Sequence, residues 1–452
     1  MKWLSVLCIR VCMFCFMFIA SAGAQNRLDL DALITAALDN NPEISVSERK
    51  KEALWERPSQ ARAWDDPKLT FGVANLPADD FDFNKQDMTQ KTVSISQQIP
   101  FPGIPSLREK VAVEEAKRAE KELENTRTGI VKAVKKTYYE LYFINESLNI
   151  IGKNEDILKK FVELTRIKYE VGQGLQEDVL KAEVELYKLQ ENLIGLRQQK
   201  ITLQADLNRL LGREASFALE GEPVLEITGF DFTPRELEET AQANNPVLLS
   251  LRHLIERSEA EHKLAGKQYF PRFTLTASYG QRDNRRNAQP FPAEVTGVDT
   301  QGNQDTNRVF VAPLGDDRDR PDFFSLFVGV TIPLWFKSKQ SKKVSETNLK
   351  IAQAKLQYES AKNNIFFRLH DIGARIKKNK KLINLYRDNI IPQATQSLDA
   401  DMAAYQVGKI DFLTLLSSRI TLFNYEIQYR RVMSNYEMEL AELEAVVGKR
   451  LF

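Results

Sequence analysis

The chain has 452 residues, of which 28% are charged and 43% hydrophobic, with 63 basic against 62 acidic residues and a formal net charge of +1. That length allows a substantial core and two or three domains. A charge so balanced offers no basic surface for nucleic acid.

The first element in chain order is "MKWLSVLCIRVCMFCFMFIASAGAQ". A basic start, an apolar stretch and the small residues Ala22, Gly23 and Ala24 ahead of Gln25 predict a secretory signal peptide over 1–24. Cys8, Cys12 and Cys15, the only cysteines, lie inside it. Disulfides, thiolate metal sites and cysteine nucleophiles are therefore excluded from the mature chain. Loss of Lys2 and Arg10 leaves 61 basic against 62 acidic residues, a net charge of −1. Beyond the signal peptide no apolar run approaches the roughly 18–20 residues of a membrane-spanning helix. Entry into a membrane would require a closed β-barrel, so the addresses are the soluble periplasm or the outer membrane.

From residue 25 the chain reads as one architecture written twice, 25–228 and 229–452. "NNPEI" at 40–44 recurs as "NNPVL" at 244–248, an offset of 204; "LLGR" at 210–213 recurs as "VVGK" at 446–449, an offset of 236. The first repeat predicts a helix over 42–65, a β-hairpin over about 68–100, a long helix over about 105–171, a tip, and a returning helix over about 174–212. The second predicts a helix over 246–269, a hairpin over about 271–333, a long helix over about 338–407 with Gly373 and Pro392 as bends, a tip, and a helix over about 410–448. The offset grows between the strands of each hairpin, where insertions are tolerated. The second loop, 281–321, is long, charged and rich in Asn, Pro and Gly.

The long helices carry a heptad seam, Ala116, Ala119, Leu123, Ile130, Thr137, Ile144, Ile151 and Leu158 among its members, which predicts coiled-coil-like packing. At about 1.5 Å per residue each would reach on the order of 100 Å. Four short runs alternate apolar with small polar residues, such as Leu69, Phe71 and Val73 against Thr70 and Gly72. Their lengths are near the roughly 9–11 residues of a membrane barrel strand. Trp64, Phe101, Tyr269, Phe270, Trp335 and Phe336 cluster at their ends, as in an interfacial girdle. A sheet packed on one face inside a soluble protein reads the same runs without a membrane.

The tips "YEVGQGLQEDVL" (169–180) and "YQVGKIDFLTLL" (405–416) keep Tyr, Val and Gly in one frame. Gly172 and Gly408 suit left-handed helix C-caps. Glu177, Asp178 and Asp411 place negative charge at the start of the returning helices, where the dipole favours it. Tyr169, Val171, Tyr405 and Val407 have no evident packing partner at a solvated tip. No catalytic signature occurs: His253, His262 and His370 form no HExxH pattern, and no phosphate-binding glycine loop or GxSxG is present. The acids Asp316, Asp317, Asp319 and Asp322 are interleaved with Arg318 and Arg320 and read as a solvated loop. Neither a catalytic, a metal nor a cofactor site is expected.

Signal peptide, duplication, hairpin–long helix–tip–helix order and the YxVG tips together resemble the TolC family of outer-membrane efflux channels, over essentially the whole mature chain. The resemblance implies a mainly α fold with a small β part, in which three subunits each give four strands to a common barrel and their helices continue it as a tunnel across the periplasm. It implies a homotrimer in outer-membrane lipid, a passive exit duct served by a periplasmic adaptor (membrane-fusion) protein and an inner-membrane resistance-nodulation-division pump. By the same resemblance Tyr169, Val171, Gly172, Gln173 and Gly174, with Tyr405, Val407, Gly408 and Lys409, would dock the adaptor. Asp178 matches an acidic position of the periplasmic gate; the second repeat has Thr414 and Ser417 there, with Asp411 one turn earlier as a partial substitute. "NLP" at 75–77, "MT" at 88–89 and "SQQIPFPG" at 96–103 look most like the heavy-metal branch, of the CzcC and CusC kind, implying metal cations as cargo. Drugs or a polypeptide, or a soluble periplasmic coiled-coil scaffold, are the other readings.

Overall fold

The computed structural model describes residues 27–452 apart from 85, 220, 285–290, 299–303 and 312–319. The signal peptide read over 1–24 and the acids Asp316, Asp317 and Asp319 lie outside the described residues. In chain order the elements are α1 (Leu30–Asn40), α2 (Pro42–Trp55), α3 (Arg57–Arg62), β1 (Lys68–Ala74), β2 (Gln90–Ile99), α4 (Ile104–Glu170), α5 (Gln176–Leu210), α6 (Pro234–Asn244) and α7 (Pro246–Lys267). There follow β3 (Arg272–Gln281), β4 (Phe291–Val298), β5 (Gln304–Val311), β6 (Phe323–Thr331), α8 (Gln340–Leu385), a π-turn (Tyr386–Ile390), α9 (Ile391–Gln406) and α10 (Phe412–Val447). Two compact units result: a helical unit of Met1–Leu54, Ala116–Leu254 and Ala354–Phe452, and a sheet-bearing unit of Trp55–Glu115 and Ile255–Gln353.

Several elements differ from the sequence reading, each for a local reason. The helix predicted over 42–65 is two helices, because Pro58 near the start of α3 has no N–H to continue the ladder from α2. α1 and α6 were not read as separate helices. Pro42 and Pro246 are the first residues of α2 and α7, where a missing N–H costs nothing. At Gly373 the helix is uninterrupted. Irregularity comes instead at the π-turn just before Pro392, whose ring displaces the carbonyl that would accept its absent N–H. The long loop 281–321 contains an antiparallel hairpin, β4–β5, pairing Phe291 with Val311 and Val298 with Gln304.

In the sheet-bearing unit the strand order is β1-β2-β3-β6, all antiparallel. The register aligns Leu69, Ile95, Ala277 and Leu326 across all four strands. Because side chains alternate along a strand, Phe71, Val93, Tyr279 and Phe324 share that face one pair further on, and of these eight residues all but the half-buried Ala277 are exposed. Exposure of so many contiguous apolar side chains marks a surface meant for a non-aqueous neighbour. The opposite face carries small polar residues, Thr70, Ser94, Ser278 and Ser325 in one row.

In the helical unit two clamps of the same construction close the helices on each other. The Asn41 side chain caps α2, its Oδ1 accepting the Glu43 N–H at 2.8 Å, while its Nδ2 donates to the Leu210 carbonyl at 2.8 Å. Asn245 accepts from Val247 and Leu248 at 2.9 and 3.1 Å and donates to the Val446 carbonyl at 2.7 Å. Both asparagines are buried, so a lost partner would leave an unpaired amide in the core. Around the first clamp Leu33, Ala37, Val134 and Leu207 pack; around the second, Ala241, Ile372, Tyr436 and Leu443 do. A third cluster, with Ile151, Leu158, Leu189, Phe412 and Phe423, runs toward the tips.

Candidate functional site at the paired tips

Both tips end a long helix in the same way. After α4 the Gly172 N–H reaches the Tyr169 carbonyl at 3.0 Å and the Gln173 N–H reaches the Lys168 carbonyl at 2.8 Å. After α9 the Gly408 N–H reaches Tyr405 at 3.1 Å and the Lys409 N–H reaches Ala404 at 2.9 Å. This pair of bonds is the Schellman motif, which needs a left-handed residue at its centre. Gly172 and Gly408 both supply it, at φ +70°. Gly174 answers a different need: a Cβ there would lie 3.1 Å from the Lys168 side chain, a tight approach that Lys168 would have to yield to by a few tenths of an ångström.

The returning helices then start differently. Leu175 sits at the N-cap of α5 and makes no side-chain cap bond, and the first turn of the helix carries Glu177 and Asp178. α10 begins at Asp411, whose Oδ1 accepts the Thr414 N–H at 2.8 Å and the Thr414 hydroxyl at 2.6 Å. Those bonds favour the ionised form, so the Asp411 carboxyl sits below the usual range, held chiefly by the Thr414 hydroxyl and then its N–H. Asp411 and Thr414 are thus engaged with each other as a helix cap. Ser417 is exposed one turn on, and Asp178 is half-buried.

The tyrosines of the two phrases share a frame but not an environment. Tyr405 is half-buried, with its ring 6.1 Å from that of Phe412, which meets Phe161 at 5.8 Å. Lys168 from the other tip lies 4.0 Å over the Tyr405 ring, a cation–π contact. Tyr405 therefore does have packing partners, contrary to the sequence reading. Tyr169, Val171 and Val407 are exposed, Val407 by 68%. Between the tips lies a cleft of about 450 Å³, to which Lys168, Gln173, Asp178, Tyr405 and Asp411 contribute. Sequence reasoning missed Lys168 and the contact of Phe412 with Phe161. The available signal was Phe412 directly after the capping Asp411, an aromatic where a solvated turn would be polar.

No chemistry of bond making is arranged here: among the described residues His262 Nδ1 pairs with the Thr347 hydroxyl at 3.1 Å and His370 Nε2 with Glu238 at 2.8 Å, each far along the chain from the tips. The arrangement offers apolar knobs, capped helix ends and a cleft between two reversals. Such a surface suits protein docking and helix movement.

The sequence model of the family described as "Outer membrane efflux protein" matches residues 33–213 and again 237–449. The chain belongs to that family. An outer membrane efflux protein of this kind is a passive transport duct and not an enzyme, set in the outer membrane with a large helical portion in the periplasm. That address removes the soluble scaffold reading. Among curated relatives, the outer membrane efflux protein BepC of Brucella suis is 21% identical over 88% of this chain and 80% of its own length. The cobalt-zinc-cadmium resistance protein CzcC of Cupriavidus metallidurans is 19% identical over 94% and 91%. Among solved structures, VceC of Vibrio cholerae superposes with a TM-score of 0.72 at 17% identity, covering 94% of this chain and 97% of its own. CusC gives 0.73 at 14% identity, covering 96% of each. At such identities the shared property is the mostly helical channel fold.

Proposed function

We propose that this efflux channel works as a homotrimer and forms the exit duct of a tripartite system, receiving heavy-metal cations from an inner-membrane resistance-nodulation-division pump through a periplasmic adaptor. One observation carries the trimer: a four-stranded sheet with an apolar outer face and, among the described residues, no partner on the outer edges of β1 and β6. Four strands cannot close a barrel, and an open edge in lipid leaves backbone groups unpaired. Edge-to-edge pairing of three copies closes it. Leu180, Val184, Tyr187, Ile194 and Ile201, exposed at steps of three, four and seven along α5, supply an apolar seam for a neighbouring copy. The duplication into 25–228 and 229–452 is supported by the family match itself, whose two segments start 204 apart and end 236 apart, the same offsets as the repeated phrases.

The tips Tyr169–Gly174 and Tyr405–Lys409 are the adaptor-docking surface in this reading, and Asp178, Asp411, Thr414 and Ser417 line the gate that small helix rotations open. Replacing Gly172 or Gly408 by arginine is expected to leave a trimer that assembles in the membrane and fails to export. Crosslinking in membranes checks assembly and a cargo-accumulation assay checks export; normal export from both variants reduces the repeated phrase to a turn.

Metal cargo is supported by the likeness to CzcC and CusC and by the short phrases of the first hairpin. Its test is total cell metal, measured by elemental mass spectrometry with and without the gene under zinc, cobalt, cadmium, copper and silver. Accumulation of one group of ions on deletion is the expected result. An unchanged panel, with the protein present in the outer membrane, rejects the metal cargo and keeps the duct.

A further inference from the structure

All four chain connections between sheet and helices leave the sheet at one end: α3 to β1, β2 to α4, α7 to β3 and β6 to α8. Since the helices are periplasmic, that end is the periplasmic margin of the membrane. The β6–α8 connection there is unlike the other three. Its residues 332–339 read Ile-Pro-Leu-Trp-Phe-Lys-Ser-Lys, followed by Lys342 and Lys343 in the first turn of α8. Leu334 and Trp335 are 74% and 76% exposed, and Ile332 is exposed beside them. The segment is a fixed turn, because the Trp335 carbonyl accepts the N–H groups of Ser338 and Lys339 at 3.2 and 2.9 Å and the Phe336 carbonyl accepts that of Ser341 at 2.8 Å.

We infer that this turn is a docking site for anionic phospholipid headgroups of the periplasmic leaflet, with Ile332, Leu334 and Trp335 entering the acyl boundary and Lys337, Lys339 and Lys342 holding the phosphates. Three observations favour that occupant. An apolar rim directly followed by exposed cations reproduces, over a few residues, the change from acyl chain to charged headgroup. Lys343 pairs with Glu346 at 3.0 Å, whereas Lys337, Lys339 and Lys342 are exposed and, among the described residues, form no ion pair. Stabilisation of α8 does not explain them either: the first turn of a helix favours acids, and here it has no acid and two lysines. The equivalent turn after β2, "FPGIPSLREK", has its first cation at Arg108 and follows it with Glu109, which pairs with Arg62 at 3.4 Å, so the feature belongs to the second repeat alone.

The inference rests on the sheet lying in the outer membrane with its helix-connected end toward the periplasm. Its test uses the full mature chain purified from membranes in mild detergent, with co-purifying phospholipids quantified by mass spectrometry. The variant K337Q/K339Q/K342Q is compared with wild type and with K377Q/K378Q/K381Q, which removes as many lysines from the exposed surface of the same helix within the helical unit. Phosphatidylglycerol and cardiolipin retained per protein should fall at least about five-fold in the first variant, the factor that one lysine near an anionic surface supplies, with phosphatidylethanolamine unchanged. The control variant should retain the wild-type ratio. Equal retention in all three proteins overturns the inference, as does an equal loss in both variants, which would mean that total charge alone attracts the lipid. Loss of every phospholipid from all three proteins would instead contradict the membrane placement of the sheet.

Discussion

Gly448→Ala is expected to destabilise the helical unit by about 3 kcal/mol, while Gly408→Ala, at a similar φ, costs about 1 kcal/mol. Both glycines close a helix in the left-handed region, at φ +80° and +70°. Any L side chain there meets the same backbone penalty. The surroundings separate them. At Gly408 a Cβ would meet nothing within 4 Å. At Gly448 it would lie 2.7 Å from the Asn244 carbonyl oxygen and 2.8 Å from both the Asn245 Cα and the Pro246 Cδ. Those are backbone and ring atoms of the clamp, fixed by the Asn245 bond to the Val446 carbonyl, so relief requires the clamp to open. Gly212 repeats the situation in the first clamp, 2.5 Å from the Asn40 carbonyl oxygen. Thermal unfolding followed by far-ultraviolet circular dichroism should show the Gly448 and Gly212 variants melting well below the Gly408 variant. Equal midpoints for Gly448→Ala and Gly408→Ala would mean that the close approach is relaxed cheaply.

The same comparison shows why the phrases could be found in the sequence but not told apart. "LLGR", "VVGK" and the two "YxVG" tips all announce a helix end, because a left-handed cap is a local property that glycine signals by itself. Whether a neighbouring chain presses on that glycine depends on Asn40 or Asn244, some 170 to 200 positions away, and no local pattern carries that. The long heptad seam was legible because burial on α4 is periodic: Ala116, Leu123, Ile130, Thr137, Ile144 and Ile151 are all buried. α1 and α6 were hidden by their own ends. Each stops just before an Asn-Pro pair that reads as a break, although the asparagine caps one helix while the proline starts it. The β4–β5 hairpin was obscured because its strands hold Pro292, Glu294, Asp305 and Asn307, residues depleted in strands. At the tips, Gly172 and Gly408 follow from sequence. The stacking of Lys168 on Tyr405 joins residues from two repeats and follows only from the packing of α4 beside α9.

Removal of the Glu437 carboxylate is the second large effect expected. Between the repeats the chain crosses the helices as a strap, pinned first where Tyr138 accepts the Val224 N–H at 2.9 Å. Its second pin is Glu437: Oε1 accepts the Thr228 N–H at 2.7 Å and Oε2 accepts the Thr228 hydroxyl at 2.9 Å, while Tyr436 donates its hydroxyl to the Thr228 carbonyl at 2.7 Å. Glu437 is 2% exposed. Glu437→Ala therefore leaves the Thr228 N–H and hydroxyl without an acceptor, a loss of about 3 kcal/mol, and should release the strap to proteolysis near Thr228. Burial raises the Glu437 carboxyl above its ordinary value, against the Thr228 hydrogen bonds and the nearby Lys135, which pull it down. Tyr139, packed beside it, is likewise raised, by burial first and the Glu437 charge next. A carboxyl whose folded value exceeds its unfolded one contributes stability that is complete below the unfolded value and lost as pH rises through the folded one. Glu437→Gln keeps a carbonyl acceptor for the Thr228 N–H and removes the titration. Its stability should fall less than that of wild type as pH rises from about 4.5, the ordinary carboxyl value, toward neutrality. Parallel pH profiles for Glu437→Gln and wild type would show that the buried carboxylate does not set the strap's response to pH.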